Sequence, residues 1–122
     1  MPRLMLEESA LHPAIREKVA QLHADVIDQV VSAMAQEAVV VVGMAGNPFV
    51  GKARKALDDL GVSYRYLAFG SYLSQWRRRN ALKMWSGWPT LPMVFVNGVL
   101  IGGADDLRLL IDKGEFPQVL KK

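Results

Sequence analysis

The chain has 122 residues, a formal net charge of +3 and no cysteine. At 51% apolar and 22% charged it has a globular balance, which excludes disordered and collagen-like classes, and its length suits a single core. Without cysteine there is no disulfide, no thiolate nucleophile and no cysteine metal ligand, so the redox compartment cannot be read from the chain. No apolar run approaches the roughly 20 residues of a spanning helix. The opening MPRLMLEESALHP lacks the basic and apolar regions of a secretory signal. The expectation is a soluble, cytoplasmic protein with no membrane partner.

From Pro13 to Gln36 the apolar residues Ile15, Val19, Leu22, Val26, Val30 and Met34 recur at helical spacing, and no glycine or further proline interrupts them. This predicts one helix of about 36 Å, with Pro13 in its first turn. Its first half either projects from the core to meet a partner or folds back across the sheet. On this pattern residues 1–25 are a helical extension and residues 26–122 the main domain. A homodimer through the extension is one way to cover its apolar stripe.

A strand over about 38–43 follows, then a helix over about 48–60 stopped by Gly61, and the β-branched and aromatic strand VSYRYL. A further helix is predicted over about 71–84, with Ser71 as its N-cap. TLPMVFVNGVLIGG reads as a hairpin turning at Asn97-Gly98, a pair suited to positive φ angles. Asp105 and Asp106 open a last helix reaching about Lys113, favoured by the positive end of the helix dipole, and EFPQVLKK is a short, partly helical tail. The order β-α-β-α-β-β-α predicts an α/β fold: a mixed four-stranded sheet flanked by helices, its most apolar strand, the first, in the interior.

Charge is unevenly spread. Between Asn47 and Ala104 stand eight cationic side chains, Arg77, Arg78 and Arg79 among them, against Asp58 and Asp59 alone. The triple arginine suits a solvated helix face, and the block as a whole suits a small anion or an acidic protein surface. No aromatic-basic interleaving or zinc pattern points to nucleic acid. His12 and His23 lie far apart, so no metal site is expected.

Three segments carry a resemblance. NPFVGKARKAL, WPTLPMVFVNG and IGGADDL, in that order and on strand-helix junctions, resemble the ligand-facing segments of the glutaredoxin family. Arg79, Lys83, Ser86 and Trp88-Pro89-Thr90 are most similar to its monothiol class. The resemblance spans roughly residues 26–115 and implies a thioredoxin-like (glutaredoxin) fold. It also implies a glutathione-like ligand site at Asn47, Phe49, Arg79, Lys83, Thr90, Leu91, Pro92, Gly102, Gly103, Ala104, Asp105 and Asp106.

The departures have chemical consequences. Asn47 stands at the family's nucleophile position and Val50 at the resolving one, Met44 lies near the place of a lysine, and Ala104 replaces another frequent cysteine. Disulfide exchange needs a thiolate and iron-sulfur assembly needs the same cysteine, so neither activity and no cluster is expected. No catalytic residue and no resident cofactor are assigned, and glutathione enters only as a ligand.

The residue roles follow from the resemblance. Leu91-Pro92 is either the family's cis peptide, offering the Leu91 backbone to an extended peptide, or a trans proline opening an edge strand. Gly102 and Gly103 let a ligand approach a helix N-terminus. Asp105 or Asp106 caps that helix, holds a ligand ammonium, or does both. Arg79 and Lys83, one turn apart, are placed to pair with a second carboxylate. Asn47 is either a plain N-cap before Pro48, or an amide that helps the helix N-terminus hold a bound glutathione thiolate. Trp76, Trp85 and Trp88 are core and rim aromatics, with Trp88 beside the groove.

Two functions follow. One is a binding module without oxidoreductase activity, whose partner is a small anionic thiol peptide or a protein. The other is a small glutathione transferase working through Asn47.

Overall fold

A computed structural model describes residues 3–71 and 73–117. After a short 3₁₀ turn at Glu8–Ala10 come helices α1 (Pro13–Gln21) and α2 (Ala24–Gln36), strand β1 (Val39–Gly43), α3 (Pro48–Asp59), β2 (Arg65–Ala68), α4 (Trp76–Ser86), the hairpin of β3 (Met93–Val96) and β4 (Val99–Gly102), and α5 (Ala104–Asp112). The sheet order is β2-β1-β3-β4, with β1 parallel to β2 and antiparallel to β3, and β3 antiparallel to β4. The most apolar strand is therefore interior, where both its faces are covered. All five β1 residues are buried.

Strand alternation divides the core into two. Val40 and Val42 pack with Val26, Val30 and Ala33 of α2, Leu82 of α4 and Phe95 of β3. Val39 and Val41 pack on the other side with Ala53, Ala56 and Leu57 of α3 and Leu107 of α5. Full burial of a side chain such as Leu57 or Leu82 is worth about 1.5–3 kcal/mol.

The long first helix is two. His23 adopts a left-handed conformation (φ 47°) between α1 and α2. The apolar period runs through the break without a Pro or Gly to mark it, so periodicity alone joins the halves. Only α2 finds a surface: Val26, Val30 and Ala33 are buried, whereas α1 buries no residue, and its Ile15 and Val19, with Leu22 at its C-cap, stay 42–50% exposed. Arg16 ties α1 to the preceding turn through the carbonyls of Leu11 and Ser9. Farther upstream, Arg3 donates to the Ser86 carbonyl at 2.9 Å, a cation at the negative end of α4.

α4 also begins later than its sequence suggests. Ser71 does not cap it; Ser71 and Ser74 close a bridged turn, and the N-cap position falls on Gln75, itself left-handed (φ 58°). The hydroxyls of this turn bond to one another and to the Ser71 and Leu73 backbone, the local competition that keeps serine out of helix interiors. The strand expected at VSYRYL shortens to Arg65–Ala68, its parallel register with β1 running from Val40↔Arg65 to Gly43↔Ala68. The tail beyond Pro117 lies outside the described residues. No described helix is long and apolar enough to cross a membrane.

Candidate functional site

Three junctions at one end of the sheet build the site. At the first, β1 passes through Met44–Gly46 into α3, and Asn47 is the N-cap: its Oδ1 accepts from the N–H of Phe49 at 2.8 Å and of Val50 at 3.3 Å. Pro48, lacking an N–H, fits the first helical position. Phe49 then stands 48% exposed, with the Lys52 ammonium 5.2 Å from its ring centre.

At the second junction, α4 ends on the left-handed Gly87 and the chain enters β3 through Trp88–Pro92. Ser86 Oγ accepts from the Trp88 N–H at 3.1 Å, and the Leu91–Pro92 peptide bond is cis. At the third, β4 runs into α5 through Gly102 and Gly103. Gly102 has φ +115°, and a β-carbon there would lie 2.6 Å from the Asp106 carboxyl, so the position needs glycine on both counts. Asp106 Oδ2 accepts from the Gly103 N–H at 2.9 Å, closing the helix start from within.

Between these junctions lies a groove of about 310 Å³. Thr90, Leu91 and Pro92 line it from the second junction, together with Trp88; Phe49 comes from the first, and the run Gly103–Asp106 from the third. Eight of the twelve residues implied by the family resemblance therefore share one cavity. A larger recess of about 480 Å³ between α3 and β2 is wide open and gathers Arg54, Tyr64 and Tyr66. There Arg54 stacks 4.1 Å from the Tyr66 ring centre and donates Nε to the Tyr64 hydroxyl, which holds its already high pKa above the ordinary value. That guanidinium is engaged by protein groups, so the smaller groove is the better ligand site.

The remaining four residues stand outside the lining. Asn47 is spent on the α3 cap. Gly102 is buried and does not line the groove. Arg79 is 6% exposed, and its Nη1 donates to the Phe69 carbonyl at 3.0 Å and to the Ser74 carbonyl. Its guanidinium thus ties the start of α4 to the end of β2. Lys83, one turn on, is half-buried and does not line the groove either.

One feature is invisible to residue-type reasoning. The Trp88 indole Nε1 is buried without an acceptor, 3.8 Å from where a β-carbon on Gly103 would sit. An unpaired buried donor costs about 1–3 kcal/mol, which makes an acceptor from outside the chain favourable there.

Comparisons agree with this geometry. The family model for glutaredoxin matches residues 39–101, from the start of β1 into β4. A glutaredoxin-like protein of Dictyostelium discoideum is 48% identical over 100 residues, covering 82% of this chain and 81% of that one. A probable monothiol glutaredoxin 2 of Rickettsia conorii is 38% identical over 73 residues, covering 60% and 65%. Among solved structures, that of a buckwheat glutaredoxin-glutathione complex has a TM-score of 0.71 at 21% identity, covering 83% of this chain and 92% of that one, a likeness of fold. With the mixed sheet, the three junctions and these relatives in agreement, the chain belongs to the glutaredoxin family.

Proposed function

We propose that this protein is a cysteine-less glutaredoxin-like binding module, whose groove takes an extended peptide, glutathione or a protein segment of similar chemistry, without thiol-disulfide exchange. The carrying observation is Asn47. Its side-chain oxygen takes the Phe49 and Val50 N–H groups that would otherwise stabilise a thiolate at the start of α3. The junction is thus built around an internal, uncharged acceptor, while the peptide-sized groove beside it stays open and keeps the unpaired Trp88 donor. Extended backbone is the ligand such a groove suits, with Leu91 offering main-chain groups and Asp105 and Asp106 an acidic end for an ammonium.

Isothermal titration with reduced glutathione tests the ligand half. Heat saturating in the millimolar range or below is expected for the wild type, and a flat trace removes glutathione as the ligand. Gly103→Val, which adds bulk 3.5 Å from the Pro92 carbonyl oxygen and beside Trp88, is expected to abolish the signal. The transferase reading has less support, because a bound thiolate would compete with Asn47 for the same two N–H groups. Conjugation of glutathione to an electrophile at the rate of buffer is the expected result, and turnover lost in Asn47→Ala would restore that reading.

A further inference from the structure

We propose that two copies of this chain associate by a two-fold axis through the open edge of β4, extending the sheet and laying their α5 helices side by side. The two edges of the sheet are unlike. β2 carries Arg65, whose Nη1 donates to Gln36 Oε1 of α2, a charged and tethered edge. β4 reads Val-Leu-Ile-Gly, with neither charge nor proline, and its ladder with β3 is regular over Val99 and Leu100 before the register shifts at Ile101. The two-residue turn Asn97-Gly98, both with positive φ, sets Val96 opposite Val99 and Phe95 opposite Leu100. Residues flanking such a turn exchange hydrogen bonds, and the antiparallel alternation then directs the N–H and C=O of Leu100 outward.

Beside this edge, on the α5 face, runs an apolar recess of about 400 Å³ lined by Val99, Ile101, Leu109 and Leu110. Val99 and Leu109 are each 53% exposed. The bordering face of α5 points to a second copy rather than an unrelated strand. It carries Asp106, Leu109 and Leu110 on the recess, followed at the same spacing by Lys113 at the C-cap: acidic at the start, apolar in the middle, basic just past the end. Two such helices related by a two-fold axis run antiparallel, which sets each Asp106 near Lys113 of the second copy, with the leucines between them. A parallel pairing would oppose like charges. The same axis sets Leu100 against Leu100, where two outward-facing residues exchange both backbone hydrogen bonds. A surface complementary to itself under rotation is what a closed dimer needs. Asp106 also accepts from the Gly103 N–H and lines the ligand groove, so this contact shares that one residue with the ligand site.

Sedimentation velocity on the full chain, from submicromolar to near-millimolar concentration, tests it with the variants Val99→Lys, Leu109→Lys and Val19→Asp. All three positions are about half exposed (53%, 53% and 50%), so the fold is retained, as circular dichroism would verify. The wild type and Val19→Asp are expected to pass from monomer to dimer, and the two edge variants to dimerise about tenfold more weakly or less. Amide exchange at Leu100 is expected to slow as the dimer fills. A wild type that stays monomeric throughout overturns the proposal. So does a dimer that survives both edge variants but is lost in Val19→Asp, which would place the contact on α1, and so does Leu100 exchange that is indifferent to concentration.

Discussion

Asn47 and Arg79 show how one side chain decides what its surroundings are for. The amide of Asn47 does for the α3 N-terminus what a thiolate would do, without carrying charge. Asn47→Cys would return the two N–H groups to a sulfur at the positive end of the helix dipole. Its thiol is expected to titrate well below the ordinary ~8.5, read from thiolate absorbance against pH. An ordinary or raised value would mean that the α3 start is no longer an anion-favouring frame. Arg79 is the converse, a charged residue whose work is structural. Arg79→Met keeps most of the apolar stem but strands the Phe69 and Ser74 carbonyls, so a loss of about 1–3 kcal/mol in denaturant unfolding is expected. Ligand affinity should change little. A large loss of affinity at unchanged stability would instead give Arg79 the carboxylate-pairing role implied by family resemblance.

At the scale of elements, the break between α1 and α2 makes a prediction whose sign is diagnostic. A left-handed conformation costs a β-carbon-bearing residue about 1–2 kcal/mol, which glycine avoids. His23→Gly is therefore expected to hold or raise stability. In an unbroken helix the same change would lower stability by roughly 0.3–0.5 kcal/mol. Thermal melts of the two proteins distinguish the cases by direction alone. The break also separates two kinds of apolar stripe: that of α2 is consumed by β1 and α4, whereas that of α1 touches no core.

For the molecule as a whole, both cores are built on the same four strands, so neither can melt alone. Leu57, fully buried on the α3 side, and Trp85, packed against the α2/α4 core, lie on opposite faces of the sheet. Leu57→Ala is expected to cost about 2–5 kcal/mol. Its unfolding followed by tryptophan fluorescence should coincide with that followed by far-ultraviolet circular dichroism. Two separate midpoints would show that the faces unfold independently.

The sequence by itself determined what depends on near neighbours. Four consecutive valines made an interior strand, Asn-Pro made a capped helix start, Asn-Gly made the hairpin turn, and the spacing of three short segments carried the family and eight groove residues. Tertiary structure decided whatever depends on which surface a side chain meets. The apolar period from Ile15 to Met34 is continuous, but only its second half faces the sheet, so the helix divides at a residue with no local mark. Arg79 and Lys83 sit one turn apart in sequence, yet the fold buries the Arg79 guanidinium against backbone carbonyls that belong to other elements. The Trp88 donor is buried and unpaired in a groove that three separate junctions close around it. Periodicity and capping are local free energies written into the chain; burial and hydrogen-bond satisfaction are set by distant partners, and those exist only once the sheet has assembled.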